Sequence, residues 1–391
     1  MSMSRIETQS WDLAVQPTPL HARTAQFNRT NQWTQELGWT LPSVYEHLES
    51  EHAALRNACA LSDLNSIVTY QLSGPDVQAF LNRLAGGCGG DVRVGKCRRV
   101  VLSDDKGGLI ADGFVIRSDQ SHWLLTLPVR CLDWLTMSAH CFDCDVLDVS
   151  ETTSTFALDG PSSCAALLAA GMGGIEALRP GAVRALNVGT AKVTVARISA
   201  TGGLGYEIRC DIDDALFVFD RVRLGAELFR PAFAGQKARH LAQLEAGYPR
   251  ANQDYESALT ASLENRRSAF EVGLGALLEF SGVYFTGKNA LIQQRETGAK
   301  RAIVGIEVEG HLKPDGRLVS TSAGVVGKVA SFAWSPSCKK QIGLADLRAD
   351  ILGSAEEIGL LGKAGQKIPV KIASRPFYTC PNARRTPPEA Q

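Results

Sequence analysis

The sequence has no excess of either charge. Lys and Arg together number 41, as do Asp and Glu, for a formal net charge of zero. That argues against nucleic-acid binding through a general basic field, although a local patch stays open. No apolar run approaches the ~18 residues that a membrane helix requires. The first residues, MSMSRIETQSWDLAVQPTP, lack a charged start followed by an apolar block, so no secretory signal is expected. Ten cysteines are scattered from Cys59 to Cys380 without a framework of spacings. They read as reduced, mostly buried thiols, and a cytoplasmic location is expected. One close pair, Cys141 and Cys144, has no second pair to complete a tetrahedral zinc site, so no metal is expected. No GxGxxG follows a predicted strand, which argues against a Rossmann dinucleotide domain. The segment GVYFTGKN, 282–289, falls short of a phosphate loop. Asn289 stands where a magnesium-binding hydroxyl is needed, and Val283, Tyr284, Phe285 and Thr286 are too bulky for backbone amides to close on a phosphate.

What is present is a soluble-globular composition, 45% hydrophobic and 21% charged, over 391 residues. That length exceeds one ordinary core and implies two or three domains. Residues 1–40 are polar, with little periodicity, and are expected to form an N-terminal arm. A helix is predicted in LPSVYEHLESEHAALRNACAL, with Ser43 and Glu46 at capping-box spacing and an apolar stripe through Val44, Leu48, Leu55 and Cys59. His47 and His52 are about 140° apart around such a helix and are expected on solvated faces.

A unit then repeats. YQLSGPDVQAFLNRL at 70–84 matches FALDGPSSCAALLAA at 156–170, each a strand, a Gly-Pro and a helix. Pro75 and Pro161 suit a first helical turn, where a missing N–H costs nothing. Val77, Phe80, Leu81 and Leu84 follow the i, i+3, i+4, i+7 rule. Two related α+β regions are expected, 41–150 and 151–285. After Leu291 come short glycine-rich β-like runs, which predict a C-terminal β-barrel over 286–378. The polar tail, 379–391, is expected to be disordered.

The stretch ARHLAQLEAGY poses a geometric question. Arg239 and Tyr248, nine residues apart, would point to opposite sides of a straight helix. They can share a ligand only if the helix stops at Gly247 and the chain swings back.

Eight segments, in order, resemble the tetrahydrofolate-dependent aminomethyltransferase family, typified by the glycine-cleavage T-protein. These are EHAALRNACALSDL, LSGPDVQAFLN, GKCRRVVLSDDKGGLIADGFV, LDGPSSCAALL, ISATGGLGYEI, ARHLAQLEAGY, YFTGKNAL and GVVGKVASFAWSPSCKKQIGLADL, covering most of 50–375. The family also includes dimethylsulfoniopropionate demethylases and folate-dependent aromatic O-demethylases. The resemblance implies an α+β fold of three domains in a ring around a folate channel, the last a β-barrel, with tetrahydrofolate as cofactor.

Residue by residue, it implies that Asp112 of GGLIADG lies beside the folate nitrogen. Ala111 replaces the first acid of the family's pair. Glu207 would hold the pterin edge, and Arg239 and Tyr248 would contact the same folate. The chemistry is compatible. A carboxylate can accept paired pterin N–H groups, and an arginine fork suits an anionic tail. Asp112, Tyr248 and Tyr206 are candidates for the catalytic acid or proton carrier; Glu207, Arg239, Tyr248 and Asp112 are the candidate folate ligands. Two departures stand out: ISATGGLGYEI is shorter than the T-protein loop, and Gln243 replaces the second helix arginine. They favour a demethylase-type paralogue over a glycine-cleavage subunit. The expected reaction moves a one-carbon group from a small organic donor, such as a methoxylated aromatic, to tetrahydrofolate. A formaldehyde-releasing lyase, a glycine-cleavage aminomethyltransferase and a non-catalytic folate-binding protein are the alternatives. The expected partner is a small-molecule donor, without nucleic acid or membrane; the oligomeric state is left open.

Overall fold

A computed structural model describes residues 15–308, 317–354, 357–361 and 367–381. The chain builds two α+β units and a closed six-stranded barrel. The first unit is a five-stranded sheet ordered Lys96–Ser103, Leu109–Arg117, Trp123–Leu127, Val68–Ser73 and Asp145–Asp148. The second is a six-stranded sheet ordered Val183–Val188, Ala191–Ala196, Gly205–Asp211, Thr153–Asp159, Ala60–Asp63 and Ala232–Phe233.

The repeated unit takes the same shape in both. Strand Val68–Ser73 leads through Gly74 to helix Val77–Leu84, and strand Thr153–Asp159 through Gly160 to helix Ser163–Ala169. The two glycines have φ of +120° and +118°. An added Cβ would sit 2.3 Å from the Asp143 carbonyl oxygen at Gly74 and 2.5 Å from that of Ala58 at Gly160. Only glycine fits such a conformation and approach. Pro75 and Pro161 lie in the turn before each N-cap residue, Asp76 and Ser162, rather than inside the helix. Val77, Phe80, Leu81 and Leu84 face the first core. Phe156, Leu158, Leu167, Tyr206, Ile208 and Phe219 build the second.

Several expectations change. Residues 15–40 are not a loose arm: strand Gln16–Pro17, helix His21–Phe27 and hairpin Gln32–Glu36/Trp39–Val44 pack on the body, with Leu20 and Leu41 fully buried. Residues 1–14 of that arm lie outside the described residues, as do 382–391 of the tail. The helix after this hairpin runs Leu48–Asn57, so Ser43 is strand and cannot cap it. Glu51 instead accepts from the Tyr45 and Glu46 amides at 2.6 and 2.9 Å, and from Gly235 at 2.9 Å. His47 is exposed, but His52 is buried. Nor do the units separate at 150 and 285. Strand Ala60–Asp63 belongs to the second sheet, and Ala251, Tyr255, Ala258, Ala269 and Val272 pack in the first core. Long-range pairing overrides chain order here.

The barrel orders Arg301–Val308, Lys340–Arg348, Gly324–Ser335, Leu318–Thr321, Ile358–Leu361 and Lys367–Ala373. It is tied to the rest through buried charge. Asp346 accepts from Arg267 Nη2 at 2.6 Å and from Arg301 Nε at 2.8 Å.

Candidate functional site

Helix Gln236–Glu245 ends as its glycine predicts. Gly247 has φ +72°, its amide donates to the Leu244 carbonyl at 2.9 Å, and the Tyr248 amide donates to Gln243 at 3.0 Å. These two bonds form a Schellman cap, which satisfies terminal carbonyls and turns the chain back. Arg239 and Tyr248 therefore line one cavity of about 390 Å³, together with Asp112 and Glu207. Three segments distant in sequence converge there.

Strand alternation sets which side chains reach the cavity. On Gly205–Asp211, Tyr206, Ile208 and Cys210 enter the second core, and Glu207 and Arg209 take the other face. Tyr206 is fully buried, and burial pushes its hydroxyl far above the usual phenol range. It is away from the cavity, which removes it as a catalytic candidate. On Leu109–Arg117 the same rule buries Ala111 in the first core and turns Asp112 toward the cavity. The residue that replaces the family's first acid does not face the site.

Each predicted charge has its own partner. Asp112 Oδ2 accepts from Arg99 Nε at 2.9 Å and Nη2 at 2.6 Å, and Asp112 Oδ1 accepts from the Tyr255 hydroxyl at 3.3 Å. Burial works against the Arg99 charge, but Asp112 outweighs it and raises the Arg99 pKa. The Arg99 guanidinium lies 4.5 Å from the Tyr248 ring centroid, a cation–π contact. Glu207 pairs with Arg209. Arg239 is buried, and its Nη1 donates to Asp159 Oδ2 at 2.9 Å. Asp159 also accepts from the Ser199 hydroxyl at 2.5 Å; burial raises its pKa against the pull of Arg239. Arg239 is thus committed to Asp159 rather than held free for an anionic tail.

Arg99, Asp159, Ser199 and Arg209 escaped the sequence reading. Arg99 was within reach: it lies on the strand that pairs with Asp112's strand, with Val101 opposite Asp112. Asp159 and Ser199 have no local signal, because their partner is eighty residues away for one and a loop contact for the other.

A second cavity of about 840 Å³ shares Arg99, Phe114, Ser199 and Tyr248 with the first and runs out past Gly202 and Gly203 to Tyr378 and Cys380. Tyr248 stands where the two meet. The inner cavity suits a ligand rich in N–H donors. Glu207 is a buried carboxylate, and the Gln243 Oε1 is a buried acceptor with no hydrogen-bond partner among the described residues. Such an acceptor calls for a donor from outside the chain. In the segment 282–289, which falls short of a phosphate loop, Lys288 Nζ folds back onto the carbonyls of Gly282 and Val283 at 3.1 and 3.3 Å.

Comparison with known proteins agrees with this architecture. The profile of the GCVT N-terminal domain matches residues 20–280, and that of the glycine cleavage T-protein C-terminal barrel domain matches 301–379. The aminomethyltransferase of Bacillus subtilis (strain 168) is 27% identical over 350 residues, 87% of this chain and 93% of that protein. That of Geobacillus kaustophilus is 28% identical over 349 residues, with the same coverage. The crystal structure of glycine cleavage system aminomethyltransferase T from Bartonella henselae superposes with a TM-score of 0.83 at 21% identity, covering 94% of this chain and 99% of that one, which establishes a shared fold.

Proposed function

The chain belongs to the glycine-cleavage T-protein family, and from that premise we propose that it moves a one-carbon group from a small organic donor to tetrahydrofolate. It is an enzyme of the folate-dependent transferase kind. The observation that carries the reading is the convergence of Asp112, Glu207, Arg239 and Tyr248 on one cavity. Tetrahydrofolate, when bound, supplies the nucleophilic nitrogen that takes up the one-carbon unit. Glu207 and the unsatisfied Gln243 oxygen would accept its N–H groups. Tyr248, braced by Arg99, would form the wall between inner and outer cavities. Asp112, clamped by Arg99 and Tyr255, would hold or carry a proton at its carboxylate.

The donor is proposed to differ from that of glycine cleavage, in the manner of the demethylase-type paralogues. Gln243 lines the cavity, so the helix departure lies where a donor would bind. A methoxylated aromatic or a similar small methyl donor fits the apolar wall of Leu37, Leu64, Ile67 and Leu127. A cytoplasmic setting is proposed on the cysteine usage; among the described residues no helix is long and apolar enough to cross a membrane. The test is calorimetric titration with tetrahydrofolate. Wild type should bind, and Glu207→Gln should lose about 1.5–3 kcal/mol, the worth of a hydrogen bond to a charged group. Wild type that fails to bind, or a variant that binds equally well, would refute the assignment.

A further inference from the structure

Helix Ala215–Ala226 covers the second sheet on the face away from the cavity. Its Ala215, Val218, Phe219 and Val222 enter the second core beside Tyr206 and Ile208 of the sheet, whereas Glu207 faces the cavity. At Gly225 the helix packs flush on helix Ser163–Ala169, since an added Cβ would lie 2.5 Å from the Ala170 amide nitrogen. The inner face is therefore filled. The outer face has no cover among the described residues.

On that outer face Phe217, Arg221, Leu224 and Leu228 follow at intervals of four, three and four, which places them in one row. Leu228 belongs to the 3₁₀ turn Glu227–Phe229 that extends the helix. Phe217 is 45% exposed, Leu224 48% and Leu228 81%. Exposed apolar residues scattered singly are ordinary, but a row of them rimmed by charge marks an interface. Arg221, within the row, turns aside: its Nη2 donates to the Ala170 carbonyl at 3.5 Å.

The charges at the two ends of the row are opposite in sign. Asp213 and Asp214 stand where the helix begins, and Arg230 follows its end. None of these three side chains has a hydrogen bond or ion pair among the described residues. Arg230 has φ +50°. Glycine is the usual residue in that conformation at a helix end, so the arginine is carried at a conformational cost. Asp214 and Arg230 are roughly 24 Å apart along the helix, so they cannot meet within one chain.

We propose that this row is the contact with a second copy of the chain, the two helices lying antiparallel about a two-fold axis at the level of Val222. That axis sets Phe217 against the partner's Leu228 and Arg221 against the partner's Leu224. It brings Asp213 and Asp214 beside the partner's Arg230. An isologous contact makes each pairing twice. A different partner needs its own acid and base at the matching distance; a second copy supplies both by symmetry. The contact lies across the second sheet from the cavity and leaves it open. The inference stands apart from the one-carbon reading.

The test is sedimentation equilibrium of the full chain up to its highest soluble concentration, with thermal melting to confirm that each variant folds. Wild type should pass from monomer to dimer. Leu228→Asp should raise the dissociation constant about a hundredfold, because a leucine leaves the contact and a charge enters it. Arg230→Asp should raise it about tenfold, the worth of two modest ion pairs. Adding Asp213→Arg and Asp214→Arg to Arg230→Asp should recover most of that loss, because the exchange restores both pairs. A wild type that stays monomeric at every concentration overturns the proposal and leaves the face to a different partner. A dimer that Leu228→Asp leaves equally tight also overturns it, as does a charge exchange no tighter than Arg230→Asp alone.

Discussion

The Arg56 guanidinium donates twice to a Glu245 carboxylate that has no exposed surface, from Nη2 at 2.6 Å and Nε at 3.0 Å. His52 Nε2 lies 2.8 Å from the same carboxylate, and Ser335 and Ser337 of the barrel region donate at 2.5 and 3.1 Å. The Glu245 carbonyl also accepts from the Phe377 and Tyr378 amides at 2.9 Å. One residue in the last turn of the cavity helix thus joins helix Leu48–Asn57, the barrel and the C-terminal segment.

Burial opposes the Glu245 charge, but His52, Arg56 and Ser335 outweigh it and bring its pKa to about 2. The folded pKa is below the unfolded carboxylate value of ~4.3. The stabilisation is therefore complete above pH ~4.3 and is lost as pH falls toward 2. Glu245→Gln leaves Arg56 buried without its counter-charge and should cost about 3–5 kcal/mol at neutral pH. Urea melts at pH 7 and pH 3 check both statements: the gap between wild type and variant should shrink at the lower pH.

Arg239 is expected to act first on stability. Its removal strands a buried Asp159. Arg239→Met should destabilise by about 3–5 kcal/mol, and Asp159→Asn in the same chain should recover part of that. Chemical denaturation of the two singles and the double measures the coupling. Additive losses would show that the pair does not act as a unit.

Asp112 and Tyr206 are separated by experiment as they are by burial. Asp112→Asn should lower tetrahydrofolate-dependent turnover on a donor panel by about 10²–10⁴, the range for a positioned proton carrier. Tyr206→Phe should leave that turnover intact, because the hydroxyl lies in the second core. The reverse pattern would exchange their roles.

Gly247→Ala tests the turn that brings Tyr248 to the cavity. Its φ of +72° disfavours any L side chain, and the added Cβ would lie 2.7 Å from Arg375 Cβ. The expected cost is about 1–3 kcal/mol. Thermal melting reads the stability, and weakened tetrahydrofolate binding reads the displaced Tyr248.

The sequence alone determined what depends on local periodicity and turn chemistry. The Gly-Pro repeat marked two related units, the apolar stripe of Val77, Phe80, Leu81 and Leu84 marked a core face, and Gly247 marked the helix end. Glycine at positive φ and 3.6-residue spacing are local properties, legible without a fold. The cavity depended on the tertiary structure. Period-2 alternation could have removed Tyr206 once Glu207 was placed in the site, but choosing which face is wet required the second sheet to pack. The pairing of Arg239 with Asp159, the burial of His52 on Glu245 and the delivery of Glu36 by an N-terminal hairpin all join residues 80 or more apart. Charge needs a partner only once it is taken out of water, and which charges leave water together is decided by the fold.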